Sequence, residues 1–203
     1  MKILSRNDQA GRSMVEMLGV LAIIGVLSVG GISGYSKAMG KFKLTKAQDQ
    51  ITMLLMNVRT AYATSPSYSG FNSQMAADYN IAPADMIVGG GSSLGGAFGG
   101  EVHVSAVGSR DSYFYITMRA LGKEACRSLA SSDWGADGLV YMQVGKDGSY
   151  AAPADTDVDN VCASTTTYTA DGGKYCATAM PLSLGEAGGV CGSDLSFITW
   201  VYY

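Results

Sequence analysis

Histidine is almost missing from this chain of 203 residues, which holds one, His103. No nucleophile is placed beside it, so a structural role suits it better than catalysis. No C-x-x-C pair occurs. The four cysteines, Cys126, Cys162, Cys176 and Cys191, are too far apart in sequence for a zinc site. No paired carboxylates stand out. The chain therefore reads as no enzyme, with no catalytic residue, no metal and no cofactor. A basic excess is also lacking: 14 Lys and Arg face 17 Asp and Glu, a net charge of −3. That argues against nucleic acid as a partner. The glycine-rich stretch 89–100 lacks the Lys and Ser/Thr pair of a phosphate loop and reads as a flexible loop. Proline is absent before Pro66, so nothing in the first third breaks a helix. Charge is absent from Met17 to Ser36. That stretch of about 20 residues spans roughly 30 Å as a helix, enough to cross a bilayer core.

What stands in front of that run is informative. A short polar leader, residues 1–11, carries Lys2, Arg6 and Asp8 and ends in Gly11. A secretory signal has the opposite order, with its apolar segment before the small residue at the cut. A cut at Gly11 would leave the apolar helix on the mature chain. One carboxylate, Glu16, sits just inside the run. In an apolar setting it needs either an interface or a cationic partner. Gly19, Gly25, Gly30, Gly31 and Gly34 interrupt the run. They permit close backbone approach between helices, or they make a soft segment. Lys37, Lys41, Lys43 and Lys46 follow it, while Lys2, Arg6 and Arg12 precede it, so the positive-inside tendency does not orient the span.

From Leu44 the apolar positions Leu44, Ala47, Ile51, Leu54, Leu55, Val58, Ala61 and Tyr62 recur in steps of three and four. They form one stripe of an amphipathic helix. The pattern predicts a single helix over about 13–63, its first half apolar and its second half laid on a globular head. Met53, Leu54 and Met56 read as core packing. Breaker residues 64–70 end it. A short helix is expected around Ser73–Tyr79, strands over Glu101–Val107 and Ser112–Met118, and a helix over Gly122–Ala130. Further strands are expected at Leu139–Val144, Ser149–Ala151 and Leu195–Tyr203. Region 152–190 matches no pattern.

Gly11, Glu16 five residues later, the apolar run and the charged leader together resemble the prepilin signature of type IV pilins and pseudopilins. The resemblance implies that a membrane peptidase cuts between Gly11 and Arg12 and methylates the new amine. It implies that Glu16 is the fifth mature residue and the assembly contact. Arg12 departs from the family, whose first mature residue is usually apolar. The stretch Tyr113–Met118 followed by Lys123–Leu129 with Cys126, and the tail Cys191–Thr199, resemble the type IVb subclass. The implied fold is α+β: a long N-terminal helix packed on an antiparallel sheet, a pilin roll closed by disulfides. The expected domains are leader 1–11, membrane or filament-core helix 12–36, amphipathic half 37–64 and head 65–203. The implied partners are copies of the chain itself, the prepilin peptidase, an inner-membrane assembly platform, and the membrane before assembly. The implied location is the inner membrane first and an extracellular pilus afterwards. Rival readings are a type II secretion pseudopilin, a minor pilin, and an uncut, membrane-anchored extracellular binding domain.

An even number of cysteines behind a membrane-targeting segment favours two disulfides in an oxidising compartment. Four cysteines allow three connectivities. Cys126–Cys191 with Cys162–Cys176 is favoured, since it pins the C-terminal strand and staples a Thr-rich hairpin with a turn at Asp171-Gly172-Gly173. Cys126–Cys162 with Cys176–Cys191 stays open as the alternative. Asp155-Thr156-Asp157-Val158-Asp159-Asn160 resembles the start of a calcium loop. It lacks the later Gly and Glu, so a solvated acidic loop is expected.

Overall fold

The computed structural model describes residues 14–65, 67–89, 93–108, 111–135, 138–162, 168–169 and 172–203. The chain divides into two compact units, Met1–Lys41 and Phe42–Tyr203. Helix α1 runs over Met14–Ala61, 48 residues, within the span that the proline-free sequence predicts. In the first unit every described residue from 14 to 38 is exposed. In the second unit Ala47, Gln50, Ile51, Leu54 and Val58 are the buried residues of α1; of the stripe read from the sequence, Leu44, Leu55 and Tyr62 are half-buried and Ala61 is exposed.

The remaining elements are α2 (Ser73–Asp78), β1 (Ile87–Val88), β2 (Ser93–Gly95), β3 (Glu101–Ala106), β4 (Phe114–Leu121) and α3 (Lys123–Ala130). They continue with β5 (Leu139–Lys146), α4 (Asp155–Asn160), β6 (Tyr168–Thr169), β7 (Gly172–Cys176), α5 (Leu184–Val190) and β8 (Ser196–Tyr202). The eight strands form one sheet in the order β1-β2-β3-β4-β8-β5-β7-β6, and every pairing is antiparallel. The last strand is thus central, paired with β4 through Ile116↔Trp200 and with β5 through Met142↔Trp200.

All seven residues of β8 are buried, which requires cover on both faces. On one face Val102, Val104, Phe114, Ile116, Met118, Met142, Val144, Ile198, Trp200 and Tyr202 join the buried stripe of α1 in the main core. On the other, Val107, Tyr115, Tyr141 and Val201 make a second, smaller cluster with Val158 of α4. On that second face Thr117 and Thr199, paired in register, share a hydrogen bond of 2.7 Å and are fully buried. Each hydroxyl satisfies the other, so this polar pair does not incur the penalty of an unmatched buried group.

In the sheet and its connections the structure departs from, or adds to, the sequence reading. The stretch 89–100 is not wholly loop: Leu94, fully buried, draws β2 into the sheet between Ile87 and Val102. Ser149–Ala151 is not a strand. A 3-10 turn at Asp147–Ser149 replaces it, because Asp147 is drawn to β4, accepting from Arg119 Nε at 3.1 Å and from the Ala120 amide at 3.1 Å. The acidic stretch Asp155–Asn160 is neither calcium loop nor solvated loop but helix α4, with Asp157 ion-paired to Lys174. Region 152–190 holds α4, β6, β7 and α5. The last has a capping box, Ser183 and Glu186, in which Glu186 Oε2 accepts from the Ser183 amide at 2.9 Å. The expected turn at Asp171-Gly172-Gly173 lies only partly within the described residues: Gly172 and Gly173 are in β7, and 171 is outside them.

Two disulfides close the head. Cys126 of α3 bonds Cys191, just after α5, across 65 residues, and Cys162 bonds Cys176 of β7 across 14. In the chain-entropy account these loops stabilise by about 4 and about 3 kcal/mol. Polar side chains of α1 fasten the loops that sheet pairing leaves free. Gln50, 3 % exposed, donates to Asp85 Oδ2 at 2.8 Å and accepts from the Ala97 amide at 3.1 Å. Lys46 reaches the same Asp85 oxygen at 3.0 Å. Asn57 donates to the Ile81 carbonyl at 2.8 Å, and Gln48 to Ser132 Oγ at 2.9 Å.

Replacing Gln50 by Ala removes both of its bonds and leaves a part-buried amide unmatched, a cost of about 1–3 kcal/mol, read in urea unfolding of the detergent-solubilised chain by Trp fluorescence. The hydrogen bond from Lys46, above all, holds the Asp85 carboxyl below its ordinary pKa. A lowered folded-state pKa contributes stability above the unfolded value and loses it as pH falls through the folded one. Wild type therefore exceeds Asp85→Asn in stability at neutral pH, and the gap closes below about pH 4.

Candidate assembly face

Glu16 stands in the first turn of α1, where a carboxylate is favoured by the helix dipole. It is exposed, as are all its described neighbours through residue 38. Met14 is 85 % exposed, Leu21 60 %, Leu27 68 % and Ile32 67 %. An 18-residue window of this helix has mean hydropathy 2.2 and is entirely unburied, long and apolar enough to cross a membrane. Such a surface does not remain in water. Each Å² of it buried contributes roughly 25 cal/mol. The one hydroxyl in the middle of the run, on Ser28, is satisfied within the helix by the Ile24 carbonyl at 2.7 Å, which suits an apolar surrounding.

A Cβ added at Gly19, Gly25, Gly30, Gly31 or Gly34 would meet nothing within 4 Å. Within one chain, then, no packing contact requires these glycines. Gly11 and Arg12, the two residues of the expected cut, lie outside the described residues.

The second unit adds a surface that the sequence reading assigned wrongly. Met53 and Met56 were expected in the core, but they are 57 % and 63 % exposed, and only Leu54 of that trio is buried. At 100° per residue, positions 42, 49, 53 and 56 fall within about 60° of one another and almost opposite the buried stripe. Phe42, also 62 % exposed, shares that side with Asp49, Met53 and Met56. The signal was available: three large apolar residues, Phe42, Met53 and Met56, at steps of eleven and three form a second stripe with Asp49 among them. His103 also has a local structural setting, with Nε2 3.1 Å from Glu101 Oε2 and its ring stacked on Tyr150 at 5.7 Å. Among the described residues no group of three or more His, Cys, Asp or Glu is placed to hold a metal ion.

A family model described as "PilS N terminal" matches residues 42–178. This chain belongs to the PilS N-terminal family of pilins. The match begins where the second compact unit begins. The chain is 26% identical over 141 residues to the "Major structural subunit of bundle-forming pilus" of Escherichia coli O127:H6 (strain E2348/69 / EPEC), covering 69% of this chain and 73% of that one. The same figures hold for the subunit of that name from Escherichia coli O111:H-. In fold it is similar to TcpA, a type IV pilin from Vibrio cholerae El Tor biotype. The TM-score is 0.54 at 14% identity, over 79% of this chain and 99% of that one. The α+β architecture of long N-terminal helix and antiparallel sheet is therefore a pilin fold.

Truncating the exposed methionines separates them from the core. Met53→Ser and Met56→Ser should each shift unfolding of the head by no more than about 0.5 kcal/mol, whereas Leu54→Ala between them should cost about 2–5 kcal/mol. Urea denaturation of the three variants checks the assignment.

Proposed function

We propose that this chain is the structural subunit of a type IV pilus, held in the inner membrane and then polymerised into an extracellular filament. The observation that carries the reading is the uncovered apolar face over residues 14–38 on a pilin-family chain. A bilayer covers such a face in the stored subunit, and helices of neighbouring copies cover it in the filament. The names of the Escherichia coli relatives support the same reading.

The domain scheme follows. Residues 1–11 serve as leader, 12–36 as membrane and core helix, 37–64 as the amphipathic half and 65–203 as head. The prepilin peptidase removes the leader between Gly11 and Arg12. An assembly platform draws the subunit from the membrane. The chain has no catalytic step of its own in this scheme.

Glu16 acts as the register contact. In a dry helical bundle an isolated carboxylate is costly, and a cation on a neighbouring subunit offsets that cost. Opposite charges at 4 Å attract more strongly at low dielectric than in water. The first mature residue, Arg12, would supply both an amine and a guanidinium, so Glu16 could take a charge-assisted pair from a neighbour. The glycines of the run let backbones come close in that bundle.

Glu16→Ala tests the role. Membrane fractions should retain the protein at wild-type level while electron microscopy finds no surface filaments, and normal filaments in this variant would contradict the assignment. Mass spectrometry of mature protein should find an N-terminus at Arg12. An N-terminus at Met1 would favour an uncut, membrane-anchored binding domain instead.

A further inference from the structure

The two disulfides occupy different surroundings. Cys126 and Cys191 are fully buried in the main core. Cys162 is exposed and Cys176 half-buried. The exposed bridge lies at the end of the segment from Asp147 to Cys162, which leaves β5, passes over the second face of the sheet and ends at β7.

The hold on that segment is uneven. Its first part is clamped. Arg119 contacts both carboxylate oxygens of Asp147, at 3.1 and 3.2 Å, and places its guanidinium 5.2 Å from the centre of the Tyr150 ring. Tyr150 in turn packs edge-on against Phe197 at 5.2 Å. The middle is open: Ala151, Ala152 and Ala154 are exposed and belong to no helix or strand, with Pro153 buried among them. The last part, α4, sits on the sheet through Val158, with Val161 half-buried beside it, and through the Asp157–Lys174 ion pair. A helix of six residues has no stability of its own. Beneath it lie Tyr115, Tyr141 and Val201, nearly or fully buried.

We propose that Cys162–Cys176 is a thiol-exchange site, a latch that an external dithiol opens while Cys126–Cys191 stays closed, and that opening it frees α4 from the sheet. Thiol exchange requires a thiolate to reach a disulfide sulfur, so access decides which bridge reacts. One thiolate of the dithiol attacks the Cys162 sulfur, forms a mixed disulfide and releases Cys176. The second thiol then attacks the mixed disulfide, closes the dithiol into its own cyclic disulfide and releases Cys162. Two electrons and two protons pass from the dithiol to the bridge, leaving two cysteine thiols. With the latch open, α4 loses its covalent tie to β7 and is held by Val158, Val161, the Asp157–Lys174 ion pair and the Asp155 carboxylate packed against Gly108, and the exposed alanines give it a hinge. The buried bridge still ties α3 to the segment before β8, so the main core persists. This inference is independent of filament assembly and holds for the single subunit.

The full chain in detergent micelles, titrated with dithiothreitol at pH 8 and quenched with iodoacetamide, tests it by peptide mass spectrometry. Cys162 and Cys176 should take label at reductant concentrations at least tenfold below those that label Cys126 and Cys191. At that stage amide hydrogen exchange across 155–160 should rise at least tenfold, with β4 and β8 unchanged. Labelling of all four cysteines together, or of Cys126 and Cys191 first, would overturn the site. Selective labelling with unchanged exchange across 155–160 would overturn the latch. The double variant Cys162→Ser, Cys176→Ser should show the raised exchange without reductant, while wild-type protection there would again overturn the latch.

Discussion

Residues 14–38 form a helical stretch that is exposed throughout. At roughly 25 cal/mol per Å², a surface of that kind must be covered by something outside the subunit. The rest of the design answers to this one requirement. The run is uncharged from Met17 to Ser36, its central hydroxyl is satisfied within the helix, and its glycines meet nothing in the single chain. Lipid and neighbouring helices are equivalent solvents for such a face, since both are apolar. A subunit can therefore be stored in one and deployed in the other. In the proposed scheme the lone carboxylate, Glu16, distinguishes the two: hydrocarbon offers it no partner, whereas a cation on another copy would.

The second unit has a core of its own. Its sheet places β8 between β4 and β5, covered on both sides. α1 contributes a stripe of four apolar residues and Gln50 to the core, and three further polar side chains fasten loops. The buried disulfide secures the approach to the central strand, and the exposed one secures the cover on the opposite face. In the proposed scheme stability and assembly are thus assigned to different stretches of one helix.

Much of this was legible in the sequence because it rests on period and charge. The absence of proline, the uncharged run and the steps of three and four gave α1 almost to its ends. Alternation gave β3 and β4, and richness in β-branched and aromatic residues gave β8. Met53 and Met56 were misread because they flank a true core residue, Leu54. Only their angle on the helix separates them from it. The strand β2 was hidden because three residues among glycines carry no periodic signal, and burial of Leu94 alone recruits them. The acidic stretch that became α4 has no helical pattern of its own. It is ordered by Val158 on the sheet, the Asp157–Lys174 pair and the nearby bridge, whose partners Tyr141, Lys174 and Cys176 lie outside the stretch. Glu16 was legible as an oddity, one charge at the edge of a charge-free run. Its role depends on a second copy, which one chain does not contain.

The central claim is that the exposed helix face is a subunit contact. A helical reconstruction by cryo-electron microscopy of filaments sheared from the cell surface tests it most directly. The account predicts density for this chain with residues 14–38 buried in the filament core and the Glu16 carboxylate within about 4 Å of a cation at a neighbour's N-terminus. A filament whose subunits meet through their heads alone, with that helix at the periphery or Glu16 facing solvent, would contradict it.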